Sequence, residues 1–201
     1  MAAPIPTAPL PDLGDRVPSR GGVFRRAIGR SMLKLAGWSF EGGLPNLPKF
    51  VIAVAPHTSN WDFVVGVFAR QAIALQARFL GKDTLFRPPL GWLMRWLGGT
   101  PVRRDISTGL VEQVATAMAR EEQFVLAIAP EGTRKRVTKW RTGFYHIARE
   151  AGVPIALVTF DYAHKRIVAA PPMLPSGNVE GDLAEMQAFV QRTTPKKLEG
   201  V

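Results

Sequence analysis

KFVIAVAPHTSNWDFVVGVFA, Lys49 to Ala69, decides how this chain folds. Its first part is an apolar run with no polar alternation, the pattern of a strand covered on both faces. Its last part is a second apolar run, read as a helix beginning at about Asn60 or Trp61. Between the two stand His57 and Asp62, five positions apart, separated only by small polar residues and a tryptophan. A desolvated histidine and a desolvated aspartate each need partners, so a turn meant only for burial would use other residues.

The alternation continues along the chain. KFVIAVA, ARFLG, TPVRR, QFVLAIA, PIALVTF and KRIVAA are strand candidates, most of them separated by helical patterns. STGLVEQVATAMAREE repeats Leu110, Val111, Val114, Ala117 and Met118 at helical spacing after a Ser107 or Thr108 cap, and NVEGDLAEMQAFVQRT sets Leu183, Met186, Phe189 and Val190 on one face. The expected fold class is α/β: a single domain with a largely parallel central sheet flanked by helices, preceded by an N-terminal amphipathic helix.

With 201 residues, 46% of them apolar, the chain can bury one sizeable core. It has no cysteine, which excludes disulfides, thiolate catalysis and cysteine-ligated zinc. A formal charge of +10 implies anionic company: nucleic acid, acidic lipid, a phosphate-bearing substrate or an acidic carrier protein. The expected organisation is a flexible Pro-rich arm over residues 1–20, an amphipathic helix over 21–40, the main domain over 41–195 and a frayed tail over 196–201. The arm has no apolar h-region, and no apolar run is long enough to cross a bilayer as a helix. In GVFRRAIGRSMLKLAGWSF a helical wheel groups Phe24, Ala27, Ile28, Met32, Leu35 and Trp38 against Arg25, Arg26, Arg30 and Lys34, with Leu33 out of place. Such a helix lies in a headgroup layer, or packs its apolar stripe on the core with its arginines in solvent.

Ligands of parallel sheets sit outside the carboxyl ends of the strands. His57 follows one strand end and PEGTRKR (Pro130 to Arg136) follows another, so if both strands run the same way the two loops share an edge. Asp62, in the first helical turn, is expected to accept the proton on one imidazole nitrogen and leave the other as a base. There is no GxSxG elbow and Ser59 lies inside the pair, so the base is expected to activate a substrate hydroxyl without a covalent intermediate. In the second loop Gly132 allows close approach to a ligand, Thr133 and Arg134 suit a phosphate, and Glu131 orients the arginine or accepts from a hydroxyl. His146 and His164 lack ligand-like spacing, no metal is expected, and Trp61 is expected to pack its helix against the sheet.

His57 and Asp62 (HxxxxD), the Gly98-Gly99-Thr100-Pro101-Val102-Arg103-Arg104 turn and strand, Glu131-Gly132-Thr133-Arg134 (EGTR), and Val153-Pro154-Ile155 together resemble the glycerolipid acyltransferases of the PlsC-like type, from about Phe50 to Phe160. Arg103 stands where many members carry an acidic residue, and Leu157 where a second proline is common. The resemblance implies transfer of a fatty acyl group from acyl-CoA or acyl carrier protein, as co-substrate and with no resident cofactor, to the hydroxyl of a lysolipid such as lysophosphatidic acid. It implies His57 as general base and Asp62 as its orienting partner. Arg104, Glu131, Gly132, Thr133 and Arg134 would hold the acceptor's anion with help from Lys82; the sequence does not identify the donor that meets the oxyanion, for which a backbone amide near the second motif is expected. It also adds weight to an anionic membrane surface as partner, with the protein held peripherally on the cytoplasmic, inner face; FRPPLGWLMRWLGG adds Trp92 and Trp96 near Arg87 and Arg95. Two rivals stay open: a thioester or lipid hydrolase using the same pair on water, and a nucleic-acid binder, for which no RRM, zinc-finger or helix-turn-helix signature is visible.

Overall fold

The computed structural model describes residues 13–102, 109–132 and 139–195. The elements run α1 (Val23–Leu35), β1 (Ser39–Glu41), β2 (Lys49–Val54), α2 (Asn60–Ala72), β3 (Arg78–Lys82), α3 (Gly91–Trp96), β4 (Gly99–Val102), α4 (Leu110–Arg120), β5 (Phe124–Ile128), α5 (Gly143–Glu150), β6 (Ile155–Asp161), β7 (Arg166–Ala169) and α6 (Val179–Val190). The strands form one sheet in the order β1-β7-β6-β2-β5-β3-β4. The five strands from β6 to β4 are mutually parallel, whereas β7 runs antiparallel to β6 and carries the parallel edge strand β1.

The missing polar alternation of β2 has its cause in two cores. Phe50 and Ile52 face one way, into a cluster with Val65, Ala69 and Ala72 of α2; Val51 and Ala53 face the other, among Met118 of α4, Phe144 and Ile147 of α5, and Met186 of α6. From Phe50 to Ala53 every residue is apolar because neither face meets water. The six strand candidates correspond to β2 through β7. The three-residue β1 was not anticipated, because SFE is too short to show a period of two.

Helix α1 is docked by the side that its amphipathic pattern does not advertise. Leu33, the residue out of place on the wheel, is only 4% exposed and joins the first core. Gly29 lies against the end of α2 so closely that a Cβ there would sit 2.5 Å from the Ala72 amide nitrogen and 2.8 Å from the Phe68 carbonyl oxygen. Arg30 donates from Nε to the Ala72 carbonyl at 3.2 Å, satisfying a backbone acceptor at the last turn of α2. Phe24, Ile28, Met32 and Leu35 consequently face outward, Leu35 with 82% of its surface exposed. Within α1 the apolar stripe is therefore not packed on the core; Trp38, three residues past the end of the helix, is the member of the stripe that does pack there.

Trp61 is a second correction. It is 56% exposed and does not pin α2 to the sheet; Val65, Ala69 and Ala72 do that. The expectation of a flexible arm does not hold for residues 13–20, where Val17 is buried, Arg20 donates its N–H to Ala74 O, and Gln76 donates to Pro18 O. Residues 1–12 of that arm, the Ser107 or Thr108 cap and the tail 196–201 lie outside the described residues. Helix α4 starts at Leu110 behind Gly109.

Urea denaturation separates the two faces of α1. Leu33→Ala is expected to cost about 2–4 kcal/mol, as for a buried leucine, and Leu35→Ala to stay within about 0.5 kcal/mol of the parent. Gly29→Leu has no room against the backbone of α2 and is expected to undock α1, exposing it to limited proteolysis. Equal costs for Leu33→Ala and Leu35→Ala would contradict this packing.

Candidate active site

Because β2 and β5 are parallel neighbours, with Val51 opposite Leu126 and Ala53 opposite Ile128, the loops that follow them leave from the same edge of the sheet. His57 lies on the first loop and Glu131 on the second. They meet directly: the His57 backbone N–H donates to Glu131 Oε2 at 2.9 Å. Glu131 is buried, and through this bond its carboxylate ties the two loops together.

Asp62 is placed by the start of its helix. Ser59 is the N-cap of α2 and its hydroxyl accepts from the Trp61 N–H, while the Asp62 carboxylate reaches back to the Ser59 N–H and completes a capping box. Oδ2 of Asp62 accepts from the N–H groups of Thr58 and Ser59, each at 2.8 Å, and stands 3.6 Å from Nδ1 of His57. That last separation is ion-pair range, longer than a hydrogen bond. The Asp62 side chain is 1% exposed and that of His57 21%, so the carboxylate is sealed while the imidazole reaches solvent. Five-residue spacing thus has a local reason: it puts the carboxylate at the third position of a helix whose cap follows the histidine by two residues.

Electrostatics sharpen the tie. Burial raises the Glu131 carboxyl above its ordinary value; the His57 amide opposes this, and the charge on Asp62 adds to it. Gly132 adopts φ +61°, and a Cβ there would meet Arg141 Cδ and Nε at 3.0 Å, so the Arg141 side chain lies across the glycine. Arg141 also donates its N–H to Pro130 O at 2.8 Å. It is a cation beside the second loop that motif reading passed over, because it lies seven residues beyond EGTR with no spacing rule to mark it. Lys82 ends β3, on the same sheet edge, and is exposed. Arg103, Arg104, Thr133 and Arg134 lie outside the described residues.

Tyr162, the residue after β6, also enters the site: its hydroxyl donates to Asp62 Oδ1 at 2.6 Å. Only the sheet order, with β6 beside β2, brings it there. Elsewhere His164 Nδ1 lies 2.7 Å from Asp161 Oδ2, a carboxylate that also accepts from Arg166, so this histidine does have an acidic partner in the β6–β7 turn. Among the described residues no group of three or more potential ligands could hold a metal ion.

Residues 42–161 match the protein family described as Acyltransferase. The chain is similar to the 1-acyl-sn-glycerol-3-phosphate acyltransferase of Haemophilus influenzae, 28% identical over 159 residues, which are 75% of this chain and 65% of that protein. It is also similar to the protein of that name from Streptococcus pneumoniae, 29% identical over 140 residues, 65% of this chain and 52% of the relative. The chain thus spans between about half and two thirds of the length of these curated relatives. Among solved structures, the 1-acyl-sn-glycerophosphate acyltransferase PlsC of Thermotoga maritima superposes with a TM-score of 0.59 at 18% identity, covering 84% of this chain and 76% of that one, a likeness of fold.

Glu131→Gln keeps an oxygen for the His57 amide and removes a buried charge. As the folded carboxyl titrates above its ordinary value of 4.5, ionising Glu131 subtracts stability as pH rises from that value through the raised one. The variant is expected to lose less stability across this window and to be at least as stable as the parent at neutral pH. Glu131→Ala, which leaves the amide without its acceptor, is expected to cost about 1–3 kcal/mol. Denaturation at a series of pH values checks both; a steeper fall for Glu131→Gln would contradict the assignment.

Proposed function

The chain belongs to the Acyltransferase family, and from that membership we propose that it transfers a fatty acyl group from an acyl thioester to the free hydroxyl of a lysolipid, lysophosphatidic acid or a close relative. The observation that carries this reading is the meeting of His57, Asp62 and Glu131 at one edge of a parallel sheet. His57 takes the proton from the acceptor hydroxyl through Nε2, since Nδ1 faces Asp62. The oxygen attacks the thioester carbonyl, and the tetrahedral oxyanion collapses with loss of the thiolate of coenzyme A or acyl carrier protein. The thiolate then takes the proton from the imidazolium, so the base is restored and no acyl-enzyme forms. Asp62 stabilises the charged imidazolium, and the 3.6 Å separation closes as that charge develops. Arg104, Thr133, Arg134, Lys82 and Arg141 supply positive charge and donors for the acceptor's phosphate.

The reaction takes place at a membrane surface. No helix among the described residues is long and apolar enough to cross a bilayer. The outward face of α1 carries Phe24, Ile28, Met32 and Leu35, and α3 exposes Trp92 (71%) and Trp96. Arg25 of α1 stacks over the Trp96 ring at 4.5 Å, so the two apolar segments adjoin. Exposed aromatics, aliphatics and arginines on neighbouring helices suit an anionic headgroup layer, here taken as the cytoplasmic leaflet.

Two measurements test the proposal. Release of coenzyme A from acyl-CoA is expected to accelerate strongly when lysophosphatidic acid is added, and His57→Ala to lower turnover by about 10²–10⁴-fold with the fold intact; cleavage indifferent to the acceptor would favour the hydrolase. In flotation assays the protein is expected to bind phosphatidylglycerol vesicles more tightly than phosphatidylcholine ones, less so at high salt. Phe24→Asp combined with Leu35→Asp is expected to reduce that binding at least about tenfold. Undiminished binding would refute α1 as the attachment.

A further inference from the structure

Asp62 accepts more hydrogen bonds than a helix cap requires. Its Oδ2 takes the Thr58 and Ser59 amides and faces His57, and its Oδ1 points the other way, into the Tyr162 hydroxyl at 2.6 Å. Tyr162 is itself braced: Trp38, three residues beyond α1, meets its ring edge to face with centroids 4.9 Å apart at 89°, and meets Phe160 at 6.2 Å and 90°. The Trp38 N–H donates to Leu33 O at 2.8 Å, so the brace is anchored to the docked face of α1. Burial, and then the bond to Asp62, raises the Tyr162 hydroxyl above its ordinary value, which keeps it a donor at neutral pH.

We propose that Tyr162 is a positioning residue for the His57–Asp62 pair: its hydroxyl locks the rotation of the carboxylate so that Oδ2 stays toward Nδ1, and draws charge onto Oδ1. A carboxylate held by amides at one oxygen alone can swing the other; a third donor, from the segment that follows β6, removes that freedom. The charge drawn to Oδ1 is charge not offered to the imidazole, so Tyr162 also sets how tightly His57 holds its proton. Among the described residues, the titratable groups in contact with the pair include Asp62 on α2 itself, Glu131 after β5 and Tyr162 after β6, with the Arg141 cation lying across Gly132 beside them. Of these Tyr162 alone is a neutral donor to the carboxylate, and phenylalanine removes its hydroxyl while keeping the ring against Trp38.

The inference rests on the proposed function only in its kinetic arm. In the first arm, the His57 imidazole is titrated by nuclear magnetic resonance in the parent and in Tyr162→Phe. Its midpoint is expected to rise by about half a pH unit or more, because a carboxylate without the phenol donor holds the imidazole proton more strongly. In the second arm, acyl transfer from acyl-CoA to lysophosphatidic acid is followed. The kcat of Tyr162→Phe is expected to fall about 10- to 100-fold, with both KM values within about twofold of the parent and the acid limb of the profile moved up in pH. An unmoved midpoint in a folded Tyr162→Phe protein overturns the positioning role, whatever the acceptor. A moved midpoint in a chain that transfers no acyl group leaves the role standing and overturns the proposed reaction. Should Tyr162→Phe fail to fold, Trp38→Phe keeps the hydroxyl and loosens its brace; a smaller rise in the midpoint supports the role, and none overturns it.

Discussion

One carboxylate holds this site together. Asp62 closes the cap of α2, orders the loop that carries His57, faces the imidazole and accepts from the hydroxyl of Tyr162 just after β6, all with a side chain sealed from water. A buried charge is tolerable only where its oxygens are saturated, and here two amides and a phenol saturate them. On the proposed mechanism the demands of folding and of chemistry fall on the same atoms: what fixes the helix start also fixes the orienting group. Glu131 plays the complementary part from β5, accepting the His57 amide so that two loops from adjacent strands are fastened across the sheet edge.

Much of the fold was legible because a two-sided sheet leaves a plain mark: VIAVA and VLAIA can lack polar residues only if both faces are covered, and the two cores around β2 show that they are. The start of α2 and the approach of His57 to Asp62 were legible too, since a five-residue spacing after a strand end constrains geometry locally. Sheet order was not. Nothing in the chain announces that β6 lies beside β2, and Tyr162, 100 positions from Asp62, could be found only through that adjacency. Arg141 escaped for a similar reason, as its place over Gly132 follows from the path of the loop.

Helix α1 shows why an amphipathic pattern cannot by itself say which side is docked. The wheel displays a wide apolar face, and the natural expectation is that the wider face seeks the core. Close packing needs shape as well as apolarity, and Gly29 lets two helix backbones approach where no larger residue would fit, with Leu33 filling the core beside it. A narrow seam of one glycine and one leucine suffices for docking, and the wide face is left over.

Trp61 stands inside the HxxxxD stretch and is more than half exposed, four residues from the imidazole. The outward indole puts exposed apolar surface one residue from Asp62 in the chain, on the loop and helix start that carry the dyad. On the proposed reading an acceptor need never leave its leaflet: its tail stays in oil while its hydroxyl is presented at the rim. The quantity that governs turnover is then the mole fraction of lysolipid in the plane of the bilayer, and diluting the surface with inert lipid slows the reaction even when the amount of lysolipid per millilitre is unchanged.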